Sequence, residues 1–175
     1  NMGTEILYSG TVSAAMEGLI EGIPSIAFSL ASHTHKDFEP AAKFAEILVA
    51  KIATEPLASL MLLNVNIPPV SWEEMAGVVF TRQGIRRYVD VFDQRTDPRG
   101  KTYYWLTGEV IEDVEPPIEL NLPTDIPLDV HVVPQNYISI TPLQYNLTYG
   151  YGLNQLFRLS SWTKLNSLLE SEINK

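Results

Sequence analysis

Ser9-Gly10-Thr11 stands directly ahead of Val12 to Ile20, a run of small and helix-forming residues. A turn of this composition at a helix start presents backbone N–H groups and the positive end of the helix dipole to an anion. Gly10 lets the backbone come close, and the two hydroxyls can donate to phosphate oxygens. The competing reading is an ordinary N-cap, the commoner use of Ser or Thr before a helix. Glu17 has no acidic partner nearby and reads as a surface or structural carboxylate rather than a catalytic base.

The other candidate groups are weaker. His33 and His35 form a His-x-His pair in a loop, but a metal site needs three or four converging, supported ligands, so ligation is the minority reading. His131 stands alone and reads as structural. Arg82, Arg86 and Arg87 concentrate positive charge in an acidic chain. They suit a substrate's anionic groups, a carboxylate of a second subunit, or simply a solvated strand end. Tyr103, Tyr104 and Trp105 are able to stack on a base, yet on a projecting hairpin they more often pack a subunit interface.

The elements that must position these groups begin with a short apolar segment, Glu5 to Tyr8, read as a strand. The helix from Val12 is stopped by Gly22 and Pro24, and Ser25 to Leu30 reads as a buried strand. Asp37 is placed to cap a second helix with Pro40 in its first turn and Phe38, Ala41, Ala42, Ala45, Leu48, Val49 and Ile52 at helical spacing. Met61 to Ile67 is a further strand, ended by Pro68-Pro69. Helices alternating with apolar strands indicate crossovers in a parallel sheet. Beyond Pro69 the pattern turns to β: Gly77 to Arg82, then Tyr88 to Phe92 and Lys101 to Leu106 joined by the turn Asp97-Pro98-Arg99-Gly100. The proline-rich stretch Glu112 to Pro127 reads as a surface loop, and Tyr137 to Thr141 as a last strand ended by Pro142. Ser160 or Ser161 would cap a final helix whose Trp162, Leu165, Leu168, Leu169 and Ile173 form one apolar stripe, after a Gly- and Tyr-rich segment suited to a hinge. The fold class is therefore α/β: a Rossmann-like parallel-sheet portion (1–69), then a β-rich arm with a long hairpin and a C-terminal helix (70–175).

The chain has 175 residues, 45% hydrophobic and 19% charged, a globular composition. A net charge of −9 and an isoelectric point near 4.7 argue against a broad surface for duplex nucleic acid, though not against a local pocket for a phosphate ester. Without cysteine there is no disulfide framework or thiol nucleophile. No apolar run reaches the roughly 20 residues that span a bilayer, and the first residues do not resemble a signal peptide, so a soluble cytoplasmic protein without a membrane partner is expected. The sequon Asn146-Leu147-Thr148 is then a chance match.

Several motifs occur together in a fixed order. They are Asn1-Met2-Gly3, Tyr8-Ser9-Gly10-Thr11-Val12, Ala15-Met16-Glu17-Gly18 and Gly22-Ile23-Pro24-Ser25-Ile26-Ala27, followed by Leu63-Asn64-Val65-Asn66-Ile67-Pro68 and Thr81-Arg82-Gln83. Asp97-Pro98-Arg99-Gly100, Tyr103-Tyr104-Trp105 and Tyr137-Ile138-Ser139-Ile140-Thr141-Pro142-Leu143 complete the set. Together they resemble the SurE (survival protein E) family, up to about Thr148. The stretch from Pro123 to Gln135 departs from the pattern, and the absence of the family's first half is the larger departure.

The resemblance implies a divalent-metal-dependent phosphatase (Mg, Mn or similar) of nucleoside 5′- and 3′-monophosphates, assembled as a homodimer or homotetramer through a protruding hairpin and an exchanged C-terminal segment. It implies metal ligands upstream of Asn1, none in this chain, so that the sequence is a piece of a longer protein and inactive alone. It places Asn1, Ser9, Gly10 and Thr11 against the bound phosphate. The alternative is a non-catalytic oligomerisation module.

Overall fold

The computed structural model describes residues 1–57, 59–112, 125–159 and 169–170. They fall into two compact units, residues 1–144 and 145–175. The first unit opens with a 3₁₀ helix, Gly3–Tyr8, where the apolar pattern suggested a strand. Gly3 has φ +57°, a backbone conformation that bends the chain into a turn at once and that side-chain-bearing residues avoid. Ser9 closes this turn and caps α1 (Gly10–Ile20), which starts two residues ahead of the expected point.

β1 (Ser25–Leu30) follows, then α2 (Glu39–Thr54) and β2 (Leu62–Ile67). β1 and β2 are parallel, with α2 as the crossover between them. Asp37 bonds the Glu39 N–H at 2.9 Å, while Phe38 occupies the cap position itself. β3 (Gly77–Phe80) and β6 (Tyr137–Leu143) complete a sheet of order β1-β2-β6-β3. β6 runs antiparallel to β2, so the sheet is mixed rather than parallel throughout. It also continues through Pro142, where the proline was expected to end it.

Alternation along the strands sorts the two faces. Leu63, Val65 and Ile67 of β2 join Ile138, Ile140 and Phe44 in one buried cluster on the α2 side. Burying such side chains stabilises the fold by about 1.5–3 kcal/mol each. The other face carries Leu62 with Ala27, Val12 and Leu19 beneath α1. Further along this face the residues turn polar: Ser29, Asn66 and Ser139 stand in one row and Asn64 beside Thr141 in the next. All five are buried.

β4 (Arg86–Thr96) and β5 (Thr102–Glu112) form the expected long hairpin in full register. Its turn is fixed by Asp97, whose Oδ1 accepts the Arg99 and Lys101 N–H groups at 2.9 and 2.8 Å. The loop read from Glu112 to Pro127 lies largely outside the described residues. Beyond it, Asp129–Val132 (α3) and a 3₁₀ turn, Val133–Gln135, carry a small apolar cluster with Met2.

In the second unit a short helix, α4 (Gly150–Arg158), forms where the sequence suggested a hinge. The Tyr149 ring lies where a side chain at position 152 would stand, so any larger residue there would push that ring aside. The final helix expected from Ser160 onward lies outside the described residues, apart from Leu169 and Glu170.

Candidate functional site

Ser9 lies between the 3₁₀ helix and α1 with φ −83° and ψ 118°, the extended conformation of a cap. Its Oγ accepts the Val12 N–H at 3.1 Å, and its carbonyl accepts the Ser13 N–H at 2.9 Å. The capping interpretation is therefore realised, but it does not exhaust the residue. The hydroxyl hydrogen remains available to a second partner. The N–H groups of Gly10 and Thr11 make no hydrogen bond among the described residues. A β-carbon at Gly10 would meet nothing within 4 Å, so the way to this backbone is open.

Asn1 is held from beneath by the polar end of the sheet. Its Nδ2 donates to Ser29 Oγ at 2.6 Å, and its carbonyl accepts Asn64 Nδ2 at 2.9 Å and Asn66 Nδ2 at 3.1 Å. Gly3 continues the anchoring: its N–H donates to Asp129 Oδ2 at 2.8 Å. The other carboxylate oxygen of Asp129 accepts the N–H groups of Gly84 and Val130, both at 2.8 Å. Asp129 is fully buried and ties the start of the chain to the root of the hairpin.

Asn1 and Ser9 line a single open cleft of about 620 Å³. Glu5 and Tyr8 come from the same 3₁₀ helix, Ser32 and His33 from the end of β1, and Arg86 and Tyr88 from the hairpin root. Arg86 Nη1 donates to Glu5 Oε2 at 2.9 Å, and the Tyr88 hydroxyl donates to Glu5 Oε1. The Arg86 backbone closes a second link, its N–H and carbonyl both bonding Thr4 Oγ1.

Of the four residues proposed from the resemblance, the structure brings Asn1 and Ser9 into the cleft. Gly10 and Thr11 lie exposed on the first turn of α1, next to Ser9 but not in the cleft wall. The arginine cluster disperses: Arg86 reaches the cleft, Arg82 Nε donates to the Ile126 carbonyl at 3.0 Å, and Arg87 is exposed. His33 lines the cleft and His35 does not. Among the described residues no three His, Asp or Glu side chains come together to hold a metal ion. They do not by themselves fit the divalent cation that the resemblance implies. Glu5, Tyr8 and Tyr88 were missed, although Tyr8 adjoins the Ser-Gly-Thr motif and signalled itself by position.

The cleft thus lies at the N-terminus of a helix that packs on a mixed α/β sheet, where the first backbone N–H groups of the helix have no intrahelical partner. The model of the Survival protein SurE family matches residues 1–90. The chain is 74% identical over 162 residues to the 5'-nucleotidase SurE of Nostoc sp., an alignment covering 93% of this chain and 60% of that protein. It is likewise 74% identical over 162 residues to the 5'-nucleotidase SurE of Trichormus variabilis, with the same coverage of both. The solved SurE protein from Aquifex aeolicus superposes with a TM-score of 0.69 at 37% identity, over 95% of this chain and 61% of that one. This chain belongs to the SurE family. It spans about 60% of the length of these relatives.

Proposed function

We propose that the whole protein is a phosphomonoesterase acting on nucleoside monophosphates, and that this chain supplies the groups that hold the phosphate. The observation that carries the reading is the placing of Asn1 and Ser9 in one cleft at the start of α1. The relatives' name, 5'-nucleotidase, supports the substrate class.

The chemistry follows from what each group has left to give. Ser9 Oγ accepts from Val12 and still donates its own hydrogen. The Asn1 carboxamide uses one N–H on Ser29 and keeps the other. The Gly10 and Thr11 N–H groups extend the same donor set at the positive end of the α1 dipole. Such preorganised donors stabilise phosphoryl oxygens as negative charge accumulates on them. The resemblance also implies a divalent cation, whose ligands we place outside this sequence, so that the isolated chain is inactive. Assembly as a homodimer or homotetramer is part of the same reading, supported by the exposed Phe92, Tyr104 and Trp105 on the hairpin.

Two substitutions at Ser9 in the whole protein separate phosphate binding from capping. Ser9→Ala removes both roles, so kcat/KM falls by about 100-fold or more and stability by about 1 kcal/mol. Ser9→Asp keeps an acceptor for Val12 and sets a negative charge against the phosphate. It should melt near the parent temperature and lose at least as much activity. Parent-like turnover of a nucleoside monophosphate by the Asp variant would return Ser9 to a cap and refute the site.

A further inference from the structure

The peptide that carries Asn1 is held by side chains, not by a strand ladder. Asn64 and Asn66 each aim an N–H at the Asn1 carbonyl, and two donors fill both lone pairs of that oxygen. The asparagines occupy alternate positions of the central strand β2, on one face, and both are fully buried. Their carboxamide oxygens have no hydrogen-bond partner among the described residues, nor has Ser139 Oγ, opposite Asn66 on β6. A buried oxygen left this way weakens the fold. An apolar side chain would suit a central strand better if packing were the only demand. Flipping either amide would set its oxygen against the Asn1 carbonyl oxygen, so that carbonyl alone dictates the orientation of both. Ser29 on β1 completes the hold by accepting from the Asn1 side chain.

We propose that Asn64 and Asn66 are positioning residues that clamp the Asn1 carbonyl to β2 and so fix the Asn1 side chain relative to Ser9. The inference rests on reading the cleft as a phosphate site. The unsatisfied amide oxygens are a stability cost that the fold carries for this placement. Loss of the clamp leaves the Gly3–Asp129 bond intact while Asn1 drifts, and a displacement of about 1 Å in a reacting site costs roughly 100-fold in rate.

The test uses Asn64→Leu and Asn66→Leu in the whole natural protein, with AMP as substrate and amide hydrogen exchange read over residues 2–8. Each substitution removes the donor together with the orphaned oxygen but adds bulk at a buried position, so the melting temperature is read beside the kinetics to confirm folding. The clamp predicts kcat lower by about 10- to 100-fold with KM little changed, and faster exchange at the start of the chain. If the leucine variants do not fold, Asn64→Ser and Asn66→Ser stay polar but cannot reach Asn1, and the same losses are expected. Unchanged kcat in the variants of an active enzyme overturns the clamp while leaving the phosphate site standing. A parent protein inert toward AMP refutes the nucleotidase reading, and the exchange measurement then decides the clamp alone: faster exchange upholds it, unchanged exchange overturns it.

Discussion

Asp129 shows how much of this site depends on single residues that bear no mark in the sequence. It accepts three backbone N–H groups, from Gly3, Gly84 and Val130, with no exposed surface. Two of these donors lie 126 and 45 positions away, so no local pattern points to the carboxylate. Its stretch was read instead as a departure from the family pattern. Ser9, by contrast, was legible because an N-cap is local: hydroxyl, glycine and helix-forming run occur within a few residues. Replacing Asp129 by Ala strands three buried donors. We expect a loss of about 3–5 kcal/mol, read from the midpoint of urea unfolding. A variant as stable as the parent would show that water or a shifted backbone satisfies those groups.

At the scale of elements, α1, α2, β1, β2 and β6 were placed closely, because burial against a sheet imposes the pattern directly, whereas the hairpin strands run well past the expected Phe92 and Leu106, to Thr96 and Glu112. Glu5 to Tyr8 was misread: its apolar content suits a strand, but Gly3 turns the chain and among the described residues no strand pairs with it. β6 was recognised, while its antiparallel place between β2 and β3 was not, since strand order depends on contacts remote in sequence. The junction of the first 3₁₀ helix, the hairpin root and α3 is tight. A β-carbon on Gly3 would lie 3.2 Å from both the Gly84 carbonyl oxygen and Val130 Cγ1. With φ also positive, Gly3→Ala should destabilise by about 2 kcal/mol and loosen the hairpin root. Thermal melting and amide exchange around Arg86 measure both effects; a silent substitution would mean that the junction yields easily.

For the whole molecule, apolar side chains are exposed on the hairpin and, separately, on α4, and exposed apolar patches are where subunits meet in the assembly proposed above. Removing residues 145–175 from the whole protein should lower its oligomeric state in solution, as light scattering on an eluting column would show. An unchanged mass would place the assembly surface elsewhere. The central claim is that a phosphate ester is hydrolysed at the cleft of Asn1 and Ser9 with a divalent cation held from outside this sequence. Its most direct test is inorganic phosphate release from a nucleoside monophosphate by the whole protein, before and after chelation with EDTA. Steady release that EDTA abolishes and an added divalent cation restores is the expected result. No release, or release undiminished by EDTA, would contradict it.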